Sequence, residues 1–217
     1  MDGKHVGIRC PANSGSQFFN YKETFSIILL AVVDAKYNLL YIDVGTNGRV
    51  NDAHVFSKST FYEALNRSRL NLPPEAVFVG DDAFPLRRDL LRPYSRSRQL
   101  SQTQKVFNYR LSRARRCVEN AFGLLVARFR IFDKPIPVTV STTEKIVRTC
   151  CTLHNLLLKT SPTHADGVGN DSTQPSFSIG SQRPIFTNPG LSPSGVRGEY
   201  AERFMSTNSV PWQWDMI

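Results

Sequence analysis

The apolar and polar positions divide the chain into strand-like and helix-like stretches. Lys4 to Arg9 alternates, with Val6 and Ile8 as its apolar members, and reads as a strand. Pro11 to Gln17 is turn-rich. Phe25 to Asp34 (FSIILLAVVD) is a near-continuous aliphatic run with β-branched members, the pattern of a strand buried on both faces. After a short turn over Ala35 to Asn38 comes a second strand, Leu39 to Val44. So brief a link between two strands predicts an antiparallel hairpin. From Asp52 onward, Val55, Phe56, Phe61 and Leu65 take helical spacing.

Beyond the Leu72-Pro73-Pro74 break, Ala76 to Val79 predicts a short strand ending at Gly80-Asp81-Asp82. Leu86 to Leu91 predicts a short helix closed by Pro93. Ser95 to Gln104 is a polar, basic loop. Lys105 to Phe132 carries the longest helical pattern, with Leu111, Ala114, Val118, Phe122, Leu125 and Phe129 as one apolar stripe. A second helix over Thr142 to Lys159 is expected to bury Ile146, Val147, Cys150, Leu153, Leu156 and Leu157, with Ser141 or Thr143 as its N-cap. From Ser161 to about Pro193 the composition turns to Ser, Thr, Gly, Asn and Pro, which predicts a disordered linker. Gly198 to Met205 predicts a last helix, and Val210 to Trp214 a segment that docks on the core. The expected divisions are therefore a domain over 1–160, a linker over 161–195 and a tail over 196–217. A hairpin, a helix, one more strand and then helices predict an α/β domain with a mixed sheet flanked by helices.

Composition sharpens this outline. The 217 residues are 41% hydrophobic, enough for a sizeable core. No apolar run approaches the roughly 18 residues of a membrane span, so no membrane partner is expected. The first residues lack a secretory pattern, and an intracellular location follows as the expectation. The four cysteines, Cys10, Cys117, Cys150 and Cys151, have no metal-knuckle spacing and fit a reduced compartment. A zinc site from Cys150, Cys151 and His154 competes with a plainer reading, in which the same residues are helix core.

The net charge of +9 favours polyanionic partners, above all nucleic acid. Twelve arginines and lysines lie between Arg87 and Arg130, against two acids, Asp89 and Glu119. Four acids stand out: Asp2, Asp52, Asp81 and Glu119. Each has a plain alternative: a terminal surface residue at Asp2, an N-cap at Asp52, a turn at Asp81, an ion pair with Arg115 at Glu119. Together they suit one chemistry. Asp2 opens the first strand and Asp81 ends a later one, so their carboxylates converge if those strands are neighbours. Glu119 borders the apolar stripe of its helix. Carboxylates of this kind hold hard cations such as Mg²⁺, and a pair of such ions serves phosphodiester cleavage.

Seven segments carry a resemblance. They are Asp2-Gly-Lys-His-Val6, Phe19-Asn-Tyr-Lys22, Phe25-Ser-Ile27 through Val33-Asp34, Gly48-Arg-Val-Asn-Asp52, Gly80-Asp81, Val118-Glu-Asn-Ala-Phe-Gly123 and Cys150-Cys-Thr-Leu-His-Asn155. In order and spacing they resemble the DDE endonuclease domain of PIF/Harbinger transposases and of the nucleases derived from them. Arg197 to Trp214 also resembles the C-terminal end of animal members. The resemblance implies an RNase H-like fold, a divalent cation (Mg²⁺ or Mn²⁺) and nuclease or strand-transfer chemistry on DNA. It implies metal ligands at Asp2, Asp52, Asp81 and Glu119, and a nuclear protein that is also compatible with the cytoplasm.

Either Asp52 or Asp81 is the second member of the catalytic triad. The strand order favours Asp81, giving Asp2, Asp81 and Glu119 as catalytic residues and Asp52 as a further ligand. His5 and His54 are candidate partners of these acids. Arg96, Arg98, Lys105, Arg113, Arg115 and Arg116 are the expected DNA-binding residues. A Myb-like DNA-binding protein is the partner the resemblance suggests. The rival expectation is a domesticated, non-catalytic binding protein. Two departures are specific: Glu23 stands where the family usually has Gly, and only Met1 precedes Asp2, so the first strand is expected to lack its start.

Overall fold

The computed structural model describes residues 1–73, 76–97, 99–160 and 190–216, with the backbone alone at 215–216. The expected linker lies largely outside these residues. The chain divides into two units, Met1–Glu63 with Cys117–Ser172, and Ala64–Arg116 with Thr173–Ile217.

The first unit is built on an antiparallel sheet of β1 (Asp2–Gly7), β2 (Ser26–Val33) and β3 (Leu39–Asn47), in the order β1-β2-β3. β2 is the central strand, which explains its unbroken apolar run. Seven of its eight residues are buried, because both faces are covered. Its register sets Gly3 opposite Leu30 and His5 opposite Ile28. On that face lies α1 (Asp52–Lys58), which buries Val55 and Phe56 and packs on β2. The other face carries Val6, Ile27, Leu29, Ala31 and Val44. They form one core with Val118, Phe122 and Leu125 of α3 (Gln102–Arg128) and Val147, Cys150 and Cys151 of α4 (Val140–Thr160).

The predicted hairpin is present, closed by Asp34, whose Oδ1 accepts the N–H groups of Lys36 and Asn38 at 2.8 and 2.9 Å. The face that α4 buries differs from the expected one. Thr143, Val147, Cys150, Cys151 and His154 are buried, whereas Leu153, Leu156 and Leu157 are exposed. The buried set repeats at three and four residues, and the leucines fall outside that stripe. The zinc reading of Cys150, Cys151 and His154 meets the same fact. All three sit in the core, and burial pushes the Cys151 thiol up to about 12. The N-cap of α4 is neither Ser141 nor Thr143: Thr139 precedes the helix, and its Oγ1 accepts the Thr142 N–H at 3.3 Å.

The second unit holds α2's last residues (α2 is Thr60–Asn66) and a parallel pair, β4 (Phe78–Val79) with β5 (Leu90–Leu91). A helix over Leu86–Leu91 was expected, but Leu90 and Leu91 are a buried strand. The Phe78 and Gly80 N–H groups donate to the Asp89 and Leu91 carbonyls, so pairing with β4 holds this run as a strand. β4 is paired with β5, not with β1, so the strand order that favoured Asp81 is not found among the pairings of the described residues. The start of α3 supplies Phe107 and Leu111, which pack with Leu91 and with Val196, Tyr200 and Ala201 of α5 (Pro193–Met205). The apolar stripe read along α3 is thus shared between two cores. Among the described residues no helix is long and apolar enough to cross a membrane.

Candidate metal centre

Asp52 is the first residue of α1, not its cap. Asn51 takes the cap position, with its Oδ1 accepting the His54 N–H at 2.8 Å. That removes the plain alternative for Asp52. Its carboxylate is set against β1, where a Cβ on Gly3 would overlap it. Gly3 therefore lets the strand and the helix start approach each other. One oxygen each of Asp2 and Asp52 comes within 4.8 Å of the other. A Mg²⁺ ion with oxygen ligands at about 2.1 Å spans up to about 4.2 Å between two of them. Small side-chain adjustments suffice for both to bind one ion, and hard carboxylate oxygens suit such a cation. Asp2 also accepts its neighbour's N–H, Gly3 N to Oδ1 at 3.0 Å.

Glu119 lies exposed on α3 and does not join a group with Asp2 and Asp52 within that distance among the described residues. Asp81 belongs to the second unit. It follows β4, and its Oδ1 accepts the Ala83 N–H at 3.0 Å, as in the turn expected of it. His54 is exposed. His5 is half-buried and held by Ser26, Nδ1 to Oγ at 2.8 Å.

Lys4, His5 and Lys22 form a basic group in the first unit. Burial lowers the pKa of Lys4, and the nearby Lys22 ammonium lowers it further. The same holds for His5, where burial acts first, then Lys22 and Lys4. In the second unit Arg96, Lys105 and Arg116 are exposed and Arg115 is half-buried. Arg98 lies outside the described residues. Arg113 sits over the Trp212 ring at 4.2 Å and donates to Tyr109 Oη at 3.3 Å. Arg110 is held more tightly, between the rings of Phe204 and Trp212, and donates to Asn208 O and Gln213 Oε1. Trp212 and Gln213 belong to the 3-10 turn Pro211–Met216, and both these arginine contacts lie within this unit.

Two residues of the site region escaped the reading of the sequence. Gly3 had a signal, since a glycine inside a strand marks a close approach of another group. Asn51 had one as well, as a cap residue directly before the helix.

An acidic pair at the meeting of a strand and a helix start, in an α/β protein, offers oxygen ligands of the kind that hard divalent cations take. The chain belongs to the DDE superfamily endonuclease family, whose pattern it matches over residues 1–155. HARBI1 of Xenopus laevis, designated a candidate nuclease, is 26% identical over 164 residues, which is 73% of this chain and 45% of that protein. The chain thus spans about half the length of that relative. No solved structure matches it.

Proposed function

We propose that the chain is a divalent-metal-dependent DNA endonuclease, derived from a Harbinger-type transposase, that hydrolyses phosphodiester bonds. The observation that carries this is the convergence of the Asp2 and Asp52 carboxylates across Gly3. Membership of the DDE endonuclease family supports a nuclease-related function with DNA as substrate.

In this reading, which the family resemblance supports, Asp2, Asp81 and Glu119 hold Mg²⁺ or Mn²⁺, helped by Asp52. The bound cation would activate the attacking water and stabilise the leaving oxygen. The protein's own residues orient and neutralise. Asp2 and Asp52 fix the ion relative to β1, and Gly3, having no side chain, leaves the room that the Asp52 carboxylate fills. Arg96, Arg98, Lys105, Arg113, Arg115 and Arg116 hold the DNA backbone, which sets its register without reading sequence. A nuclear location and a Myb-like partner that supplies sequence recognition complete the proposal.

Mn²⁺ titration tests the site. The parent should bind, with weaker binding in Asp52→Asn and in Glu119→Gln. No binding by the parent, or equal binding by all three, ends the metal-site reading. Nicking of supercoiled plasmid by the parent but not by Asp81→Asn then separates a nuclease from a non-catalytic binder.

A further inference from the structure

The segment between β1 and β2 ends in a tight turn with an unusual exposed tip. Asn20 is buried, and its side chain holds the turn together. Its Oδ1 accepts from Lys22 N, Thr24 N and Thr24 Oγ1, at 2.9, 3.2 and 3.1 Å. Its Nδ2 lies 2.8 Å from Ser26 Oγ and donates to it. Phe19 and Phe25 close the base of the turn through a bridge and an edge-on ring contact at 5.3 Å.

This rigid frame presents a tyrosine to solvent. Tyr21 is 78% exposed, the most exposed of the large apolar side chains described. The Tyr21 and His5 rings meet edge-to-face with centroids 5.5 Å apart, and the Lys22 ammonium lies over the Tyr21 ring, 5.5 Å from its centre. The turn keeps this ring out of the core and largely open to solvent. Lys22 over the ring adds positive charge, and the Lys4 ammonium is near enough to Lys22 for the two to repel.

The position relative to the acids is fixed by the strand. His5 lies two residues from Gly3 and on the same face, so about 7 Å along β1. Gly3 is the residue against which Asp52 sits. Tyr21 therefore stands a few nucleotide steps from the acidic pair, at about 3.4 Å of rise per step along one strand.

We infer that the Tyr21–Lys22 turn is a substrate-binding element: Tyr21 stacks on an unpaired base beside the cut phosphodiester, while Lys22 and Lys4 bind the flanking phosphates. This inference rests on the DNA-cutting reading, and it adds the form of DNA that is favoured, one with an unpaired base at the site. Any base offers a face to an aromatic ring, so the contact tolerates sequence and selects local opening of the duplex.

The test is fluorescence anisotropy with the full chain, in Ca²⁺, on two labelled DNAs: a blunt duplex and the same duplex with a short single-stranded overhang. Tyr21→Ala should weaken overhang binding about tenfold and leave blunt-duplex binding unchanged. Tyr21→Phe should keep the parent's preference. Lys22→Ala should weaken both and reduce the salt slope by about one. Tyr21 is at an exposed tip, so its variants should melt with the parent. Equal overhang binding by Tyr21→Ala and parent overturns the inference, as does an equal loss on both DNAs.

Failure here is distinguishable from failure of the nuclease reading. A chain that nicks plasmid with Mn²⁺ yet is indifferent to Tyr21 overturns only the stacking contact. A chain that binds no Mn²⁺ yet shows the Tyr21 preference keeps the stacking contact and overturns the nuclease.

Discussion

The Asp52 carboxylate occupies the space where a side chain on Gly3 would stand. A strand residue without a side chain and a helix-opening acid are thus one arrangement. The absence of one Cβ permits the acidic pair to form.

Gly3→Ala should therefore act on the metal site and little on the fold. The added methyl must push the Asp52 side chain aside. Mn²⁺ affinity should fall about ten- to a hundredfold, the range seen when groups that orient ligands are lost. Thermal melting without metal should change little, since the region is half-exposed. Unchanged Mn²⁺ affinity in a folded Gly3→Ala protein would show that Asp52 is not a ligand.

Glu23 carries the second prediction. Its φ is +60°, the left-handed region that L side chains disfavour. Glu23→Gly removes that strain but loosens the unfolded chain. The net gain should be about 0.5–1 kcal/mol, read from urea denaturation. It also removes a negative charge beside Lys22, so DNA binding should rise at low salt.

The strands of the first unit were legible because both physical signals coincided: an apolar run for central β2 and a turn at Asp34–Asn38 for the hairpin. The helix over Leu86–Leu91 was misread because an apolar run of a few residues has no period to distinguish strand from helix. Its pairing with Phe78 and Val79 is a contact across about a dozen residues that no local pattern records. The buried face of α4 was misread for a related reason. Leu153, Leu156 and Leu157 are more apolar than Thr143 and His154, so hydrophobicity alone selects the wrong stripe. At the site, the acids were legible through the resemblance and through charge. The Asp2–Asp52 approach was not, because it depends on how α1 returns to β1. The strand-order argument that preferred Asp81 to Asp52 does not hold, because β4 pairs with β5.

Asn155 explains part of the Cys150–Asn155 segment in structural terms. Its Oδ1 accepts the Leu39 N–H and its Nδ2 donates to the Leu39 carbonyl, each at 2.9 Å. The side chain thus completes the backbone bonding of a buried residue at the start of β3. Asn155→Ala should leave both groups unsatisfied, costing about 1–3 kcal/mol in urea denaturation. Asn155→Asp can still accept but cannot donate, so it should lie between the two. A cost below about 0.5 kcal/mol for Asn155→Ala would mean that water replaces the pair.

His154 gives the fold a dependence on pH. Its ring is fully buried, with Nε2 at 3.0 Å from the Tyr37 carbonyl and Nδ1 at 3.3 Å from Arg128 Nη1. A carbonyl requires a donor at Nε2, and a guanidinium requires an acceptor at Nδ1, so the neutral Nε2–H tautomer fits both. Burial pushes its pKa below 6.5, the Arg128 charge adds to this, and the Tyr37 bond opposes them. In the unfolded chain His154 takes up a proton near 6.5. The neutral form's contribution is therefore fully present above about 6.5. It declines as pH falls below that value, by at most about 1.4 kcal/mol per pH unit, until the folded pKa is reached. Urea midpoints should be flat from pH 8 to 7 and fall toward pH 5. His154→Gln can donate to the Tyr37 carbonyl without titrating, so its curve should be flatter over the same window. An equally steep fall in His154→Gln would assign the acid sensitivity to another group.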